Sequence, residues 1–380
     1  MSVALMIISV AVVVGFKETI KDKMFVFWGQ IEITPFNPNP ASIISPDPIP
    51  FNDTLFRQVK SMPGVTSVYP FAVKPVILRK PSGLMEGVKL KGITADYPLV
   101  STPAMDFKGN RISFQDTGYS KDVMLSRYTL SRLGARVGDT VLAFFIDPER
   151  SFPSIRKLHV VGAYHTGMED IDRSFALCDI RLIRNVSGWD RQAINGYQVG
   201  IRHYQDADTI GRKIYKSYLT PPLYTSSMED IYPNIYSWLG LMDKNTYIIL
   251  SIMAIVAVVN LSTALLIFIL ERTRMTGILK SLGMAASKIQ QIFLYHAAMV
   301  ALKGIVYGTV GGVAFCLAQH YFHLISLNES AYYMKYMPVR LVAWQVVLVD
   351  VGTLLFCVLI MMIPALFVRK VNTIKALRFR

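Results

Sequence analysis

Thr246–Phe293 reads TYIILSIMAIVAVVNLSTALLIFILERTRMTGILKSLGMAASKIQQIF. Residues 246–270 carry no charge, and 25 residues at about 1.5 Å each make a helix longer than the roughly 30 Å of bilayer hydrocarbon. Charge then begins at once. Over 271–291, Arg272, Arg274, Lys280 and Lys288 stand against Glu271, a net of +3. An apolar run with a basic flank predicts a transmembrane helix whose basic end is cytoplasmic, because cytoplasmic loops are enriched in Lys and Arg.

Two further runs, 292–320 and 341–368, have the length of a span, and a fourth covers 1–16. The first run is short and lacks both the basic leader and the small-residue cleavage site of a signal peptide. It reads as a first transmembrane helix whose cytoplasmic leader is missing. The tail 369–380 holds Arg369, Lys370, Lys375, Arg378 and Arg380 without an acid, and so is also cytoplasmic. Four spans then place 17–245 and the loop 321–340 outside. The basic residues just after Phe16 point weakly the other way, but long domains translocate largely regardless of charge.

Composition agrees. With 52% hydrophobic and 17% charged residues, the chain carries less charge than the roughly 25% of soluble proteins. That excludes a disordered, collagen-like or disulfide-scaffold chain. The net charge of +14 does not indicate nucleic acid, because of where it lies. Residues 17–244 hold 28 Lys/Arg against 23 Asp/Glu, a net of +5, while the rest holds 12 against 3, a net of +9 beside the apolar runs. Cys316 and Cys357 lie in apolar runs, so Cys178 is alone in the long polar section and cannot form an intramolecular disulfide there. That section, 229 residues over 17–245, must fold on its own core, and its length predicts two small subdomains.

The section reads as α+β. Residues 30–34, 65–69, 73–78, 88–93, 140–146, 157–164 and 197–202 are β-rich runs bounded by Pro, Gly or Asp. Residues 53–61, 126–133 and 206–219 have helical spacing. Residues 36–50 hold five prolines and predict an extended surface loop.

No Gly precedes a Lys, so there is no Walker A loop, and G-x-S-x-G, H-E-x-x-H and C-x-x-C are absent. His320 and His323 have no carboxylate or thiol nearby and read as interfacial histidines rather than metal ligands. The chain is expected to hold no catalytic site, metal or cofactor of its own. In 271–293, Met275, Ile278, Leu279, Leu282, Ile289 and Phe293 fall at helical spacing, with Gly283 as a break. Two readings stand: a basic helix on anionic lipid, or a coupling helix docking into a partner ATPase. Gly304, Gly308 and Gly312 form a small-residue stripe for close helix packing, within the chain or with a second subunit, and Asn260 can hydrogen-bond between helices. Pro364 should kink the last span or mark its end. Lys303 and Asp350 lie at similar depth, either as an intramembrane pair or each snorkelling to its own interface.

One span, a large external domain and three closing spans resemble the FtsX-like permeases of the MacB type, and most closely the LolC/LolE subunits of lipoprotein-releasing ABC transporters. The resemblance is carried by SVALMIISVAVVVGFKETI (2–20), GARVGDTV (134–141), VVGAYHTGMEDIDRSFAL (160–177), VVNLSTALLIFILERTRMTGILKSLGM (258–284) and PALFVRKVNTIKALR (364–378). It implies an α-helical transmembrane bundle with a large α+β MacB-like periplasmic domain, in a bacterial inner membrane. It implies a LolD-like ATP-binding partner that holds ATP and Mg, a second permease as homo- or heterodimer, a lipoprotein substrate and a LolA-like carrier. ATP-driven closure would reach the spans through Glu271, Arg272, Arg274, Thr276, Gly277, Ile278, Leu279, Lys280, Leu282 and Gly283. Lipoprotein would enter between the first two spans, making Val10, Val14, Phe16, Ile249, Ile252 and Val256 cavity residues, with ordinary lipid-facing side chains as the alternative. The carrier-binding hook would fall at 147–157, with Arg150, Phe152 and Pro153, though it is shorter than the family's and also reads as a plain hairpin. The alternative function is an FtsX-like regulatory permease that activates a cell-wall hydrolase outside. A receptor or scaffold without ATP coupling is a third reading.

Overall fold

Long apolar helices and short alternating strands have different ways of burying their surface, and the chain sorts accordingly. The structure is a computed structural model that describes residues 1–36, 47–98, 105–115, 118–146 and 152–365. Its contacts divide it into a helical unit (Met1–Glu18, Trp238–Leu327, Tyr336–Arg380) and a sheet unit (Thr19–Ser237, Asn328–Lys335).

Helix α1 is Ser2–Trp28, and its residues 2–18 fall in the helical unit. The sheet unit holds eleven further strands after β1 (Ile31–Pro35): β2 (Ile49–Pro50), β3 (Val65–Arg79), β4 (Met85–Ile93), β5 (Asp106–Gly109), β6 (Asp122–Ser126), β7 (Thr140–Phe145), β8 (Ser154–His165), β9 (Phe175–Asp179), β10 (Ala193–Ile194), β11 (Gly196–Ile201) and β12 (Leu223–Ser227). Its helices are α2 (Asp53–Lys60), α3 (Arg127–Leu133), α4 (Glu169–Ser174), α5 (Ile180–Ser187), α6 (Ala207–Tyr218) and α7 (Met228–Ile231). The remaining helices are α8 (Pro233–Glu271), α9 (Thr273–Ser281), α10 (Ala286–Phe322), α11 (Glu329–Tyr332) and α12 (Ala343–Ala365).

Among the described residues, α1, α8 and Ser287–Phe322 of α10 are long and apolar enough to cross a membrane, and Ala343–Leu359 of α12 is a shorter apolar helix. The helices outrun the apolar runs that announced them. The first continues past Phe16 through Lys17–Lys23, and α8 begins at Pro233, thirteen residues before 246. Lys, Glu and Asp end an apolar run without ending a helix, since Lys and Glu are good helix formers. At its polar end α1 is tied to α8 by Lys17 Nζ donating to Asp243 Oδ2 at 2.6 Å. The chain before α12 lies against α1: Arg340 N donates to Ala11 O at 3.0 Å, and Arg340 pairs with Glu18. A Cβ on Gly15 would stand 2.9 Å from Arg340 N, so only glycine permits that approach. Buried Val3, Ile7 and Ile305 pack with Leu341, Val346, Val349 and Leu354.

In the sheet unit ten strands run in the order β12-β1-β11-β3-β4-β9-β6-β8-β5, with β7 pairing β3 and β8, and β2 pairs β10 separately. The expected runs all fall on strands or helices. The two expected subdomains, however, are one compact unit, because 65–69 and 73–78 are a single strand. β3 pairs β11 along Val65–Phe71 and β4 along Ala72–Arg79. Pro70, which suggested a break, stays in register opposite Tyr197. Of the proline-rich loop, 37–46 lies outside the described residues, and Ile49–Pro50 forms β2.

Local sequence sets the helix ends. Asn52 accepts from Leu55 N at the start of α2, and Ser126 accepts from Thr129 N before α3. Gly134 and Gly188, at φ 58° and 66°, close α3 and α5. Leu125 on β6 is fully buried among Val123, Leu133, Val160 and Ala176. Leu125→Ala is expected to cost about 2–5 kcal/mol. Thermal melting of the full-length chain in detergent should show a loss of at least about 4 °C in the sheet-unit transition.

Candidate functional site

In the helical unit the segment 271–284 is built by two local devices. α9 starts after Arg272, whose carbonyl accepts from Thr276 N and, at 3.2 Å, from Thr276 Oγ1. It ends in a left-handed turn: Gly283 has φ +88°, its N–H donates to Lys280 O, and Met284 N donates to Leu279 O at 3.0 Å. This pair of bonds is a Schellman closure, which satisfies carbonyls that a helix end would leave bare.

The apolar residues of the segment divide between two faces. Thr276 and Gly277 are buried, and Leu279 packs on Ile269, Ile289, Phe293 and Ala297. Behind them Phe268 stacks on His296 with centroids 4.2 Å apart. Met275, Ile278 and Leu282, spaced i, i+3, i+7, face outward, with Leu282 77% exposed. Glu271, Arg272 and Arg274 are exposed beside them, Gly283 is exposed, and Lys280 is half-buried.

The other residues singled out in the spans are dispersed. Phe16 is buried edge-on against Trp238 at 5.5 Å, so it is a packing residue rather than an open cavity wall. Val10 borders a narrow crevice with Leu341, Gln345 and Val349, and Val14 is half-buried. Ile249, Ile252 and Val256 are exposed along α8, only 6% of whose most apolar stretch is buried. Asn260 is exposed on the same helix. The glycine stripe serves the chain's own packing: a Cβ on Gly308 would meet Val3 at 3.0 Å and one on Gly312 would meet Ala4 at 3.2 Å, whereas Gly304 has nothing within 4 Å.

The expected Lys303–Asp350 pair is not formed. Asp350 accepts from Thr309 Oγ1 at 2.8 Å, and Lys303 is exposed. Thr309 lies six residues beyond Lys303, about 9 Å along the helix axis, so depth alone misplaced the partner. Pro364 lies within α12. Of the hook, Phe152 is 84% exposed and Pro153 is exposed, while Arg150 lies outside the described residues, as does the tail 369–380. Among the described residues no cluster of three or more His, Cys, Asp or Glu could hold a metal.

In the sheet unit two basic side chains form joints that no local pattern announced. Lys91, on β4, is 0% exposed. Its Nζ donates to Phe27 O, to Gln198 Oε1 at 2.9 Å and to Tyr97 Oη at 3.2 Å. It lies 4.2 Å from the Trp28 ring centroid and 4.7 Å from that of Phe27. Burial pushes the Lys91 pKa down and that of Glu32 up, each shift opposed by the other's charge.

His165, at the end of β8, sits between two carboxylates. Nδ1 is 2.8 Å from Asp172 Oδ2 and Nε2 is 2.7 Å from Glu329 Oε1. Asp172 is itself fixed by Thr166 N and Oγ1. Lys23 Nζ donates to Tyr333 O at 2.6 Å, so the α11 segment is held at two points. The hydrogen bond to Asp172, more than that to Glu329, raises the His165 pKa against the opposing effect of burial.

Residues 247–373 match the FtsX-like permease C-terminal family. The whole chain is similar, at 21% identity and over 91% of the relative, to lipoprotein-releasing system transmembrane protein LolC from Xylella fastidiosa (strain 9a5c). The protein of the same name from Neisseria meningitidis serogroup B is 22% identical over 86% of this chain and 81% of its own. Among solved structures, the periplasmic region of MacB from Actinobacillus actinomycetemcomitans aligns with 58% of this chain and 98% of its own, at 14% identity and a TM-score of 0.37.

The His165 joint carries a pH dependence whose sign is fixed. A histidine pKa raised above its unfolded value of about 6.5 contributes stability that is complete below that value and is lost as pH rises through the folded pKa. Hydrogen exchange of 328–335, corrected for its intrinsic pH dependence, is expected to show the strongest protection near pH 6 and a decline above neutrality. His165→Gln is expected to abolish that decline.

Proposed function

We propose that this FtsX-like permease is the membrane subunit of an ABC transporter that extracts lipoproteins from the inner membrane and passes them to a periplasmic carrier. The chain itself supplies no catalysis. ATP and Mg would be bound by a separate ATPase, and a second permease, identical or homologous, would complete the assembly. The observation that carries the ATP-coupled part is the outward ridge Met275–Ile278–Leu282 on a helix whose opposite face is locked into the bundle. A rigid apolar ridge flanked by Arg272 and Arg274 suits a protein groove, as amphipathic helices do when they dock by residues at i, i+3 and i+7.

The lipoprotein part rests on similarity to LolC along the whole chain. It also makes physical sense. Withdrawing an acyl chain from a bilayer costs about 0.8 kcal/mol per CH₂, so repeated extraction needs an external energy source. On this proposal α8, with Ile249, Ile252 and Val256 exposed, forms one wall of a chamber completed by the second permease, and Val10 and Val14 belong to the opposite wall. Asn260 would then bond across that interface, and Phe152 and Pro153 would meet the carrier. The regulatory alternative gains no support from the LolC similarity.

The full-length tagged chain, purified from membranes in mild detergent, is expected to bring an ATPase and acylated lipoproteins, the latter lost on adding ATP. An ATPase accompanied by a cell-wall hydrolase and no lipoprotein would instead establish the regulatory function. Ile278→Glu combined with Leu282→Glu is expected to reduce ATPase recovery at least tenfold without changing expression or melting. Undiminished recovery would leave α9 as a lipid-bound helix.

A further inference from the structure

The last turn of α1 enters the sheet unit under unusual conditions. Trp28 and Phe27 are buried against Phe175, with centroids 4.9 and 5.4 Å away, and Trp28 also meets Phe71. Gly29 follows at φ +72°, where a Cβ would stand 2.7 Å from Gln198 Cγ and 2.9 Å from Val199 O. Gln30 N then donates to Val199 O at 3.0 Å, and β1 pairs β11 from Ile31 onward. The helix therefore ends against the sheet, with Phe27, Trp28 and Gly29 buried.

Lys91 meets that end. Its Nζ takes Phe27 O, and Tyr97 Oη reaches Phe27 O at 2.8 Å and Val26 O at 3.1 Å. A positive side chain at a helix C-terminus opposes the negative end of the helix dipole. The aromatic rings around the ammonium add cation–π attraction. Yet burying an ammonium is costly, and a well-packed apolar side chain of similar volume often serves stability as well or better. The cage is thus poorly explained as a device for stability alone. It does fix the axial position of α1 against β4 and β11, because Lys91, Tyr97 and Gln198 bond one another as well as the helix end.

We propose that Lys91 is a positioning residue for release, a clamp through which axial displacement of α1 is imposed on the sheet unit. The helix is assigned without interruption from Ser2 to Trp28. This inference rests on the extraction function for its substrate, but not for its mechanics.

The test uses the full complex with its ATPase in lipid nanodiscs, comparing wild type with Lys91→Met. The substitution keeps the side chain's length and apolar stem, and Tyr97 still serves Phe27 O, so the complex is expected to assemble and melt as wild type does. ATP hydrolysis is expected to stay within twofold while lipoprotein released per ATP falls at least tenfold. Release per ATP that is unchanged overturns the clamp. If the wild type hydrolyses ATP without releasing lipoprotein, the extraction function fails, and the clamp is judged by hydrogen exchange alone. Residues 25–30 and 196–200 should respond to ATP together in the wild type, and only 25–30 in Lys91→Met; a joint response that survives the substitution overturns it. Should Lys91→Met fail to assemble, Tyr97→Phe, which keeps the ring and removes the other donor to Phe27 O, is read by the same measurements.

Discussion

The sheet unit depends on how the chain leaves α1. A helix that ends in water can leave its final carbonyls to solvent, but one that ends against a sheet must have them satisfied by the protein. Gly29 solves the steric half of this problem, since no Cβ fits between the helix end and Val199. Lys91 and Tyr97 solve the polar half. With both in place the chain turns directly into β1, whose register with β11 begins two residues later at Ile31 opposite Val199. β11 pairs the first half of β3, and β3 carries its second half to β4, on which Lys91 stands. The sheet thus returns to the helix end that started it.

α9 meets the same requirement, and the solution differs. Its closing carbonyls bond to Gly283 and Met284 N–H groups, which uses no side chain. That frees Met275, Ile278 and Leu282 to face outward while Leu279 and Thr276 lock the other face. A segment closed by its own backbone keeps its shape whatever covers its ridge.

The long apolar helices were legible because length and apolarity are plain in the sequence. Their ends were not, since Lys17–Lys23 is polar yet helical and 233–245 mixes apolar residues with Asn234, Asp243 and Lys244. Strands with one exposed face betrayed themselves by alternation, as β7 and β8 do. β6 and β9 did not: DVMLS and FALCD are almost wholly buried, and a short run buried on both faces has no period to detect. Lys91 was hidden for a related reason. A lysine in a strand normally marks the solvent side, and Lys89, two residues earlier, is indeed half-buried on the same face. His165 and Glu329 are 164 residues apart, beyond any local signal. Equal counts from the ends of two apolar runs put Lys303 and Asp350 at one level, but Asp350 meets Thr309, about 9 Å along α10 from Lys303. What chose Thr309 instead was direction around the helix and six residues of rise.

The two joints differ in what can undo them. His165 is held by carboxylates, so its strength follows its own proton and changes across the neutral range. Lys91 bonds a carbonyl, a phenol and an amide, and burial pushes the phenol of Tyr97 upward, yet burial also pushes the Lys91 pKa itself down to about 7 against the charge of Glu32, so this joint too has a member that titrates near neutrality. The attachment of the 328–335 segment rests on two carboxylates facing one ring, whereas that of α1 rests on neutral acceptors and on ring packing around the ammonium. If α1 carries displacement, the joint that must not slip is the one built from neutral partners and rings.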